Sequence, residues 1–144
     1  MKKRFQKNQT TEIAKEILDL LEARSQSLEA TVIALSGDLG AGKTTLTQAI
    51  ARELGIKENV ISPTFVLMKK YDTKNSIHKN LVHIDAYRLD SHHELEKLGW
   101  AEILSNKDNL VLLEWPEKVP EVVPSHAISI KLSHINEEER EIDF

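Results

Sequence analysis

Three short apolar runs punctuate the chain, and each stops at a residue with chemistry to offer. The first, Thr31-Val32-Ile33-Ala34-Leu35, is rich in β-branched residues and predicts a buried strand that runs into a glycine-rich loop. The second, Leu81-Val82-His83-Ile84, ends at Asp85, and the third, Leu110-Val111-Leu112-Leu113, ends at Glu114 and is stopped by Pro116. Helical spacing separates these runs. From Thr11 to Leu21, Ile13, Ile17, Leu18, Leu20 and Leu21 fall on one helical face, with Thr10 or Thr11 as N-cap. Gly42 to Leu54 reads as a second helix through Leu46, Ala49, Ile50 and Leu54, with Gly55 as its stop. Ser91-His92-His93-Glu94 fits a capping box, so a third helix is expected to run to about Leu98. Phe65 to Tyr71 predicts a further strand, followed by a polar turn from Asp72 to Asn80. Two tail strands, about 126–132 and 139–143, flank a polar turn at 134–138.

Strands interleaved with helices imply an α/β sheet, and ligands of such sheets bind beyond the carboxyl ends of the strands. A glycine loop and two carboxylates stand in that place here. The loop, Gly37-Asp38-Leu39-Gly40-Ala41-Gly42-Lys43-Thr44, fits G-x-x-x-x-G-K-[ST], follows a predicted strand and opens a predicted helix. Its glycines let backbone N–H groups approach phosphate oxygens, Lys43 places a cation on the outer phosphates, and the Thr44 hydroxyl can take a magnesium position. The helix beyond turns its positive end toward the anion. The expected fold is therefore an α/β, single-domain P-loop NTPase, with a mostly parallel central sheet flanked by helices and a C-terminal β-hairpin. Its ligands are expected to be ATP and Mg2+. Gly37, Leu39, Gly40, Ala41, Gly42, Lys43, Thr44 and the adjoining Thr45 are the candidate nucleotide-binding residues.

Composition narrows the classes. The 144 residues fit one domain, and 40% hydrophobic with 29% charged is ordinary for a globular protein. With no cysteine, disulfides and thiolate-held metals are excluded. The six histidines lack metal-ligand spacing, and the adjacent His92 and His93 are expected to point different ways from their helix. A net charge of −4 argues against unaided gripping of nucleic acid. Lys2, Lys3, Arg4 and Lys7 are followed by Glu12, Lys15, Glu16, Asp19 and Glu22 rather than by an apolar stretch. No signal peptide or membrane span is read there, and a cytoplasmic location is the expectation.

A P-loop enzyme also needs an acidic residue at a strand end to hold magnesium or position water. Asp85 and Glu114 both qualify as catalytic candidates, with Thr44 and Glu114 the candidate metal ligands. Which carboxylate ligates and which orients water is open. Thr64, in Ser62-Pro63-Thr64, is a candidate γ-phosphate sensor, against the simpler reading of a proline turn. Trp115 can stack on a base or close the pocket, or belong to the core. Arg88 can reach a phosphate or a partner, or form a surface ion pair.

Gly37 to Thr45, then Ser62-Pro63-Thr64-Phe65, then His83-Ile84-Asp85-Ala86-Tyr87-Arg88-Leu89, then Glu114-Trp115-Pro116 resemble, in order and spacing, the TsaE family. The resemblance spans about residues 8 to 132. That family is the ATPase component of bacterial tRNA threonylcarbamoyladenosine biosynthesis. The resemblance implies weak ATPase activity in isolation and work with a TsaB–TsaD complex, in which hydrolysis resets the machine between turnovers. It implies phosphate and magnesium at Lys43 and Thr44, a magnesium-associated Glu114, a catalytic Asp85, a mobile switch at Ser62 to Phe65, Thr10 near the nucleotide and a strand before it. Contact with tRNA would be indirect, and none with membrane is expected.

Three other readings are weaker. A small-molecule kinase needs an arginine-bearing lid, yet after Glu114 the only arginine is Arg140. A GTPase would read guanine with Asn-Lys-x-Asp, whereas Asn106-Lys107-Asp108-Asn109 lacks the final aspartate. A nucleotide-dependent binding module without turnover would share every motif and differ only in the fine placement of its carboxylates.

Overall fold

The computed structural model describes residues 1–24, 27–61 and 67–144. Its strands are β1 (Lys2–Gln6), β2 (Thr31–Ser36), β3 (Met68–Asp72), β4 (Asn80–Asp85), β5 (Asn109–Glu114), β6 (Ile128–His134) and β7 (Glu139–Asp143). Its helices are α1 (Thr10–Ala23), α2 (Lys43–Glu53), α3 (His92–Lys97) and α4 (Trp100–Ser105). The strands form a seven-stranded sheet in the order β1-β7-β6-β2-β5-β4-β3. The central strands β6, β2, β5 and β4 run parallel, and β3, β7 and β1 are antiparallel additions at the edges.

The apolar runs became the central strands because both of their faces are covered. Val32 to Leu35, Leu81 to Ile84 and Leu110 to Leu113 are all buried. Ile33, Leu35, Leu81, Leu110 and Leu112 face one layer of core with Ile13, Ile17, Leu46 and Ile50 from α1 and α2. Val32, Val82, Ile84, Val111 and Leu113 face the other, with Leu95 and Trp100 from α3 and α4. This is the expected α/β architecture, and the tail forms the expected hairpin, β6–β7, which extends the sheet.

Several details differ from the sequence reading. The third strand begins at Met68 rather than Phe65, and residues 65 and 66 lie outside the described residues. Helix α4 was not anticipated. It is only six residues long and is placed by Trp100, which is buried and donates its indole N–H to the Val122 carbonyl at 3.0 Å. The capping of α3 is shifted by one: the Ser91 hydroxyl accepts from the His93 N–H, while Glu94 accepts from the Asp90 N–H instead of that of Ser91. His92 and His93 do not diverge. Their ring centroids lie 4.2 Å apart, and both rings reach Glu96, because the first turn of a helix lets neighbouring side chains lean toward one residue a turn ahead. No described helix is long and apolar enough to cross a membrane.

Candidate functional site

The loop after β2 is shaped by backbone that only glycine adopts cheaply. Gly37 has φ +148°, and a Cβ there would lie 2.5 Å from the Leu132 carbonyl oxygen of β6. The loop is therefore pressed against the end of the neighbouring strand. Gly40 and Gly42 also have positive φ, and Gly42 caps α2. The Ala41 N–H closes a turn onto the Asp38 carbonyl at 3.0 Å, and the Ala41 side chain is buried beneath the loop. Leu39 and Gly40 are exposed at its crest, Thr44 is half-buried and Thr45 exposed on the first turn of α2.

Lys43 is buried and bends back over this loop. Its ammonium donates to the Gly37 carbonyl and, at 3.0 Å, to that of Asp38. Burial lowers its pKa from the ordinary lysine value, against the opposing pull of Glu114, Glu117, Asp85 and Asp38. The same ammonium lies 4.4 Å from the centre of the Trp115 ring. Trp115 takes that position through left-handed backbone, φ +60°, a conformation that costs a bulky residue roughly 1–3 kcal/mol. Tyr87 packs beside it, ring centres 4.9 Å apart.

The two predicted carboxylates come together because β4 and β5 are parallel and in register. Asp85 pairs with Glu114, and Leu35 at the mouth of the loop pairs with Glu114 on its other side. Asp85 is half-buried and accepts the Tyr87 N–H at 2.9 Å. Glu114 is buried, and one of its oxygens lies 2.6 Å from His83 Nε2. The sequence reading missed this partner. His83 carries the one polar side chain in the otherwise apolar run Leu81 to Ile84, which was the signal available. The contact fixes the Glu114 carboxylate in one orientation.

A cleft of about 400 Å³ opens beside the loop, between Gly37, Asp38, Trp115, Lys131 and Leu132. A second cavity of about 330 Å³ lies at the opposite, amino ends of the strands, near His78, Lys107 and His126. None of the predicted site residues lines it. Asn106-Lys107-Asp108-Asn109 belongs to that far end. Asn106 closes a turn onto the Asp108 N–H, and Asn109 donates to the Ile103 carbonyl. This run therefore does structural work and stands at the wrong end of β5 to read a base.

Thr10 opens α1 and its hydroxyl donates to the Lys7 carbonyl at 2.7 Å. The Lys7 N–H is bonded to the Glu138 carbonyl in the β6–β7 turn, so the start of α1 stands at the loop end of the sheet. The strand expected before Thr10 is β1, which pairs with β7 and buries Phe5 despite its charged neighbours. Thr64 and the Ser62 to Phe65 segment lie outside the described residues. Chemically, the site offers the first-turn N–H groups of α2, the Lys43 ammonium, the Thr44 hydroxyl and two carboxylates. Thr44, Asp85 and Glu114 supply hard oxygen donors of the kind magnesium prefers.

The family described as Threonylcarbamoyl adenosine biosynthesis protein TsaE matches residues 5–142. A protein of Haemophilus influenzae named tRNA threonylcarbamoyladenosine biosynthesis protein TsaE is 38% identical over 76% of this chain and 66% of its own length. The protein of the same name from Bacillus subtilis is 40% identical over 78% of this chain and 68% of its own. The chain thus spans about two thirds of the length of these relatives. The crystal structure of Bacillus subtilis YdiB superposes with a TM-score of 0.71 at 30% identity, covering 99% of this chain and 83% of that one.

Proposed function

The chain belongs to the TsaE family of threonylcarbamoyl adenosine biosynthesis proteins, and from that premise we propose that it binds and hydrolyses ATP with magnesium as the energy-using component of the modification machinery. The observation that carries this reading is the in-register meeting of Asp85 and Glu114 beside Lys43 at the phosphate loop. In the proposed cycle, the triphosphate draws the Lys43 ammonium away from the Gly37 and Asp38 carbonyls. The backbone N–H groups of Leu39, Gly40 and Gly42 to Thr45 and the positive end of α2 receive the phosphate oxygens. Thr44 and Glu114 would hold magnesium, which when bound would supply positive charge to the phosphates. His83 keeps the Glu114 carboxylate aimed. Asp85 accepts a hydrogen bond from the attacking water and turns it toward the γ-phosphate. Trp115 covers the outer phosphates, Thr10 borders the nucleotide, and the Ser62 to Phe65 segment with Thr64 closes over the γ-phosphate.

The proposal extends to partners. The nucleotide-closed form presents a surface to a TsaB–TsaD complex in the cytoplasm, hydrolysis releases it, and tRNA is met only through that complex. The acidic balance of the chain supports this last point, since independent tRNA binding needs clustered cations. Magnesium-dependent ATP hydrolysis measured alone and with purified TsaB–TsaD tests the scheme. Slow turnover alone with a clear rise on addition is expected. Fast turnover indifferent to the partners would retain the nucleotide site but remove the proposed role. The appearance of a phosphorylated nucleoside or sugar would point instead to a small-molecule kinase.

A further inference from the structure

Helix α3 gathers three metal-binding side chains on one side. One donor atom each from His92, His93 and Glu96 lies within 4.8 Å of the other two. Among the described residues no other trio of histidines and carboxylates meets this closely. His92 and Glu96 stand one helical turn apart, and His93 joins them because its ring leans against that of His92. Glu96 offers one oxygen to each ring, 3.8 Å from His92 Nε2 and 3.3 Å from His93 Nδ1. Two donors that share a tetrahedral zinc ion, with bonds of about 2.1 Å, stand about 3.4 Å apart. Both separations are close to that value.

A fourth residue reaches the same cluster from outside the helix. Glu121, on the short helical turn Pro120–Val122, has an oxygen 3.5 Å from His92 Nδ1. That turn is pinned, because the Val122 carbonyl accepts the N–H of the buried Trp100 indole. The His92 ring thus faces a carboxylate at each nitrogen, yet a neutral imidazole has one N–H to give. With that proton on Nδ1 toward Glu121, Nε2 turns a lone pair toward an oxygen of Glu96. Two acceptors facing each other call for a cation between them. A carboxylate on the far nitrogen of a ligating histidine is the usual outer partner of a bound metal, since it fixes the tautomer and aims the ring.

We propose that His92 Nε2, His93 Nδ1 and Glu96 hold a divalent transition-metal ion of the zinc class, with Glu121 aligning His92. Imidazole suits zinc, nickel and copper, whereas magnesium prefers oxygen ligands. This site is therefore distinct in chemistry from the magnesium position proposed at the phosphate loop, and none of its four residues lines the cleft there. His93 and Glu96 are exposed, so water completes the coordination. The ion braces α3 against the turn that carries Glu121. It thereby ties together the two connections that follow Asp85 and Trp115.

Tag-free protein titrated with Zn2+ against a chromophoric chelator tests this, with magnesium in excess throughout to fill oxygen-only sites. No nucleotide is involved, so the result stands whatever the phosphate loop binds. The parent protein is expected to take up one zinc ion, and Co2+ in its place should give visible absorption that zinc displaces. His92→Ala, His93→Ala and Glu96→Gln should each lose that equivalent, and Glu121→Ala should bind about 10- to 100-fold more weakly. His126→Ala removes another histidine that stands beside a carboxylate, Glu29, and should bind as the parent does. Thermal melting of each metal-free protein serves as the folding control. A parent that takes up no zinc overturns the proposal. Undiminished uptake by a folded His92→Ala or His93→Ala protein does the same, as does an equal loss in His126→Ala, which would mark scattered surface binding. Should His92→Ala fail to fold, undiminished uptake by His93→Ala or Glu96→Gln, whose side chains are exposed, overturns it alone.

Discussion

Asp85→Ala is expected to slow magnesium-dependent ATP hydrolysis by about 10²- to 10⁴-fold, the usual cost of removing a positioned acid–base group. Affinity for ATP should stay near that of the parent protein, because Asp85 does not belong to the phosphate loop. Its carboxylate accepts the Tyr87 N–H, in its own turn. Glu114 is different. It is buried and bonded to His83, so removing it would leave a buried imidazole without its partner and confuse a loss of chemistry with a loss of structure. Asp85 is thus the cleaner test. Single-turnover hydrolysis with ATP binding measured in parallel decides it. Normal hydrolysis by a folded Asp85→Ala protein would remove Asp85 from the mechanism.

Lys43→Ala should have the opposite profile, losing ATP affinity itself. A charge-assisted bond to phosphate is worth about 3 kcal/mol, or roughly 100-fold in affinity. The apo protein should not suffer. Burial holds the pKa of Lys43 below its ordinary value, so at neutral pH the folded state carries a charge that the unfolded chain would hold more readily. That penalty is in full force below the folded pKa and fades as pH rises through it toward the unfolded value. Removing the ammonium at neutral pH is therefore expected to leave the nucleotide-free melting temperature unchanged or raised. Isothermal titration with ATP, beside thermal melting without it, checks both halves. Wild-type affinity in the variant would mean that the loop does not use its lysine.

The parts of this site that could be read in the sequence are those set by neighbours along the chain. Gly37 to Thr44 announces itself by local spacing, and Asp85 and Glu114 by their places at the ends of apolar runs. Their register was not local, yet it followed from two parallel strands of similar length ending in acids. His83 is another matter. It meets Glu114 across a strand boundary that periodicity cannot fix. The polar β1 was legible only by resemblance, since Phe5 is its single buried residue. His92 and His93 were misread because angular spacing on a helix says little about long side chains on its first turn.

The contact between Lys43 and Trp115 gives the protein an optical sensor of its own state. An indole with an ammonium 4.4 Å from its ring centre emits differently from one without, and the proposed cycle moves that ammonium from loop carbonyls to phosphate. Of the two tryptophans, Trp100 is sealed beneath Val122 on the other face of the sheet and supplies a constant background. The change in tryptophan emission on adding ATP is therefore expected to vanish in Trp115→Phe and to persist in Trp100→Phe. Stopped-flow fluorescence of the unlabelled protein would then follow arrival and departure of the nucleotide in real time.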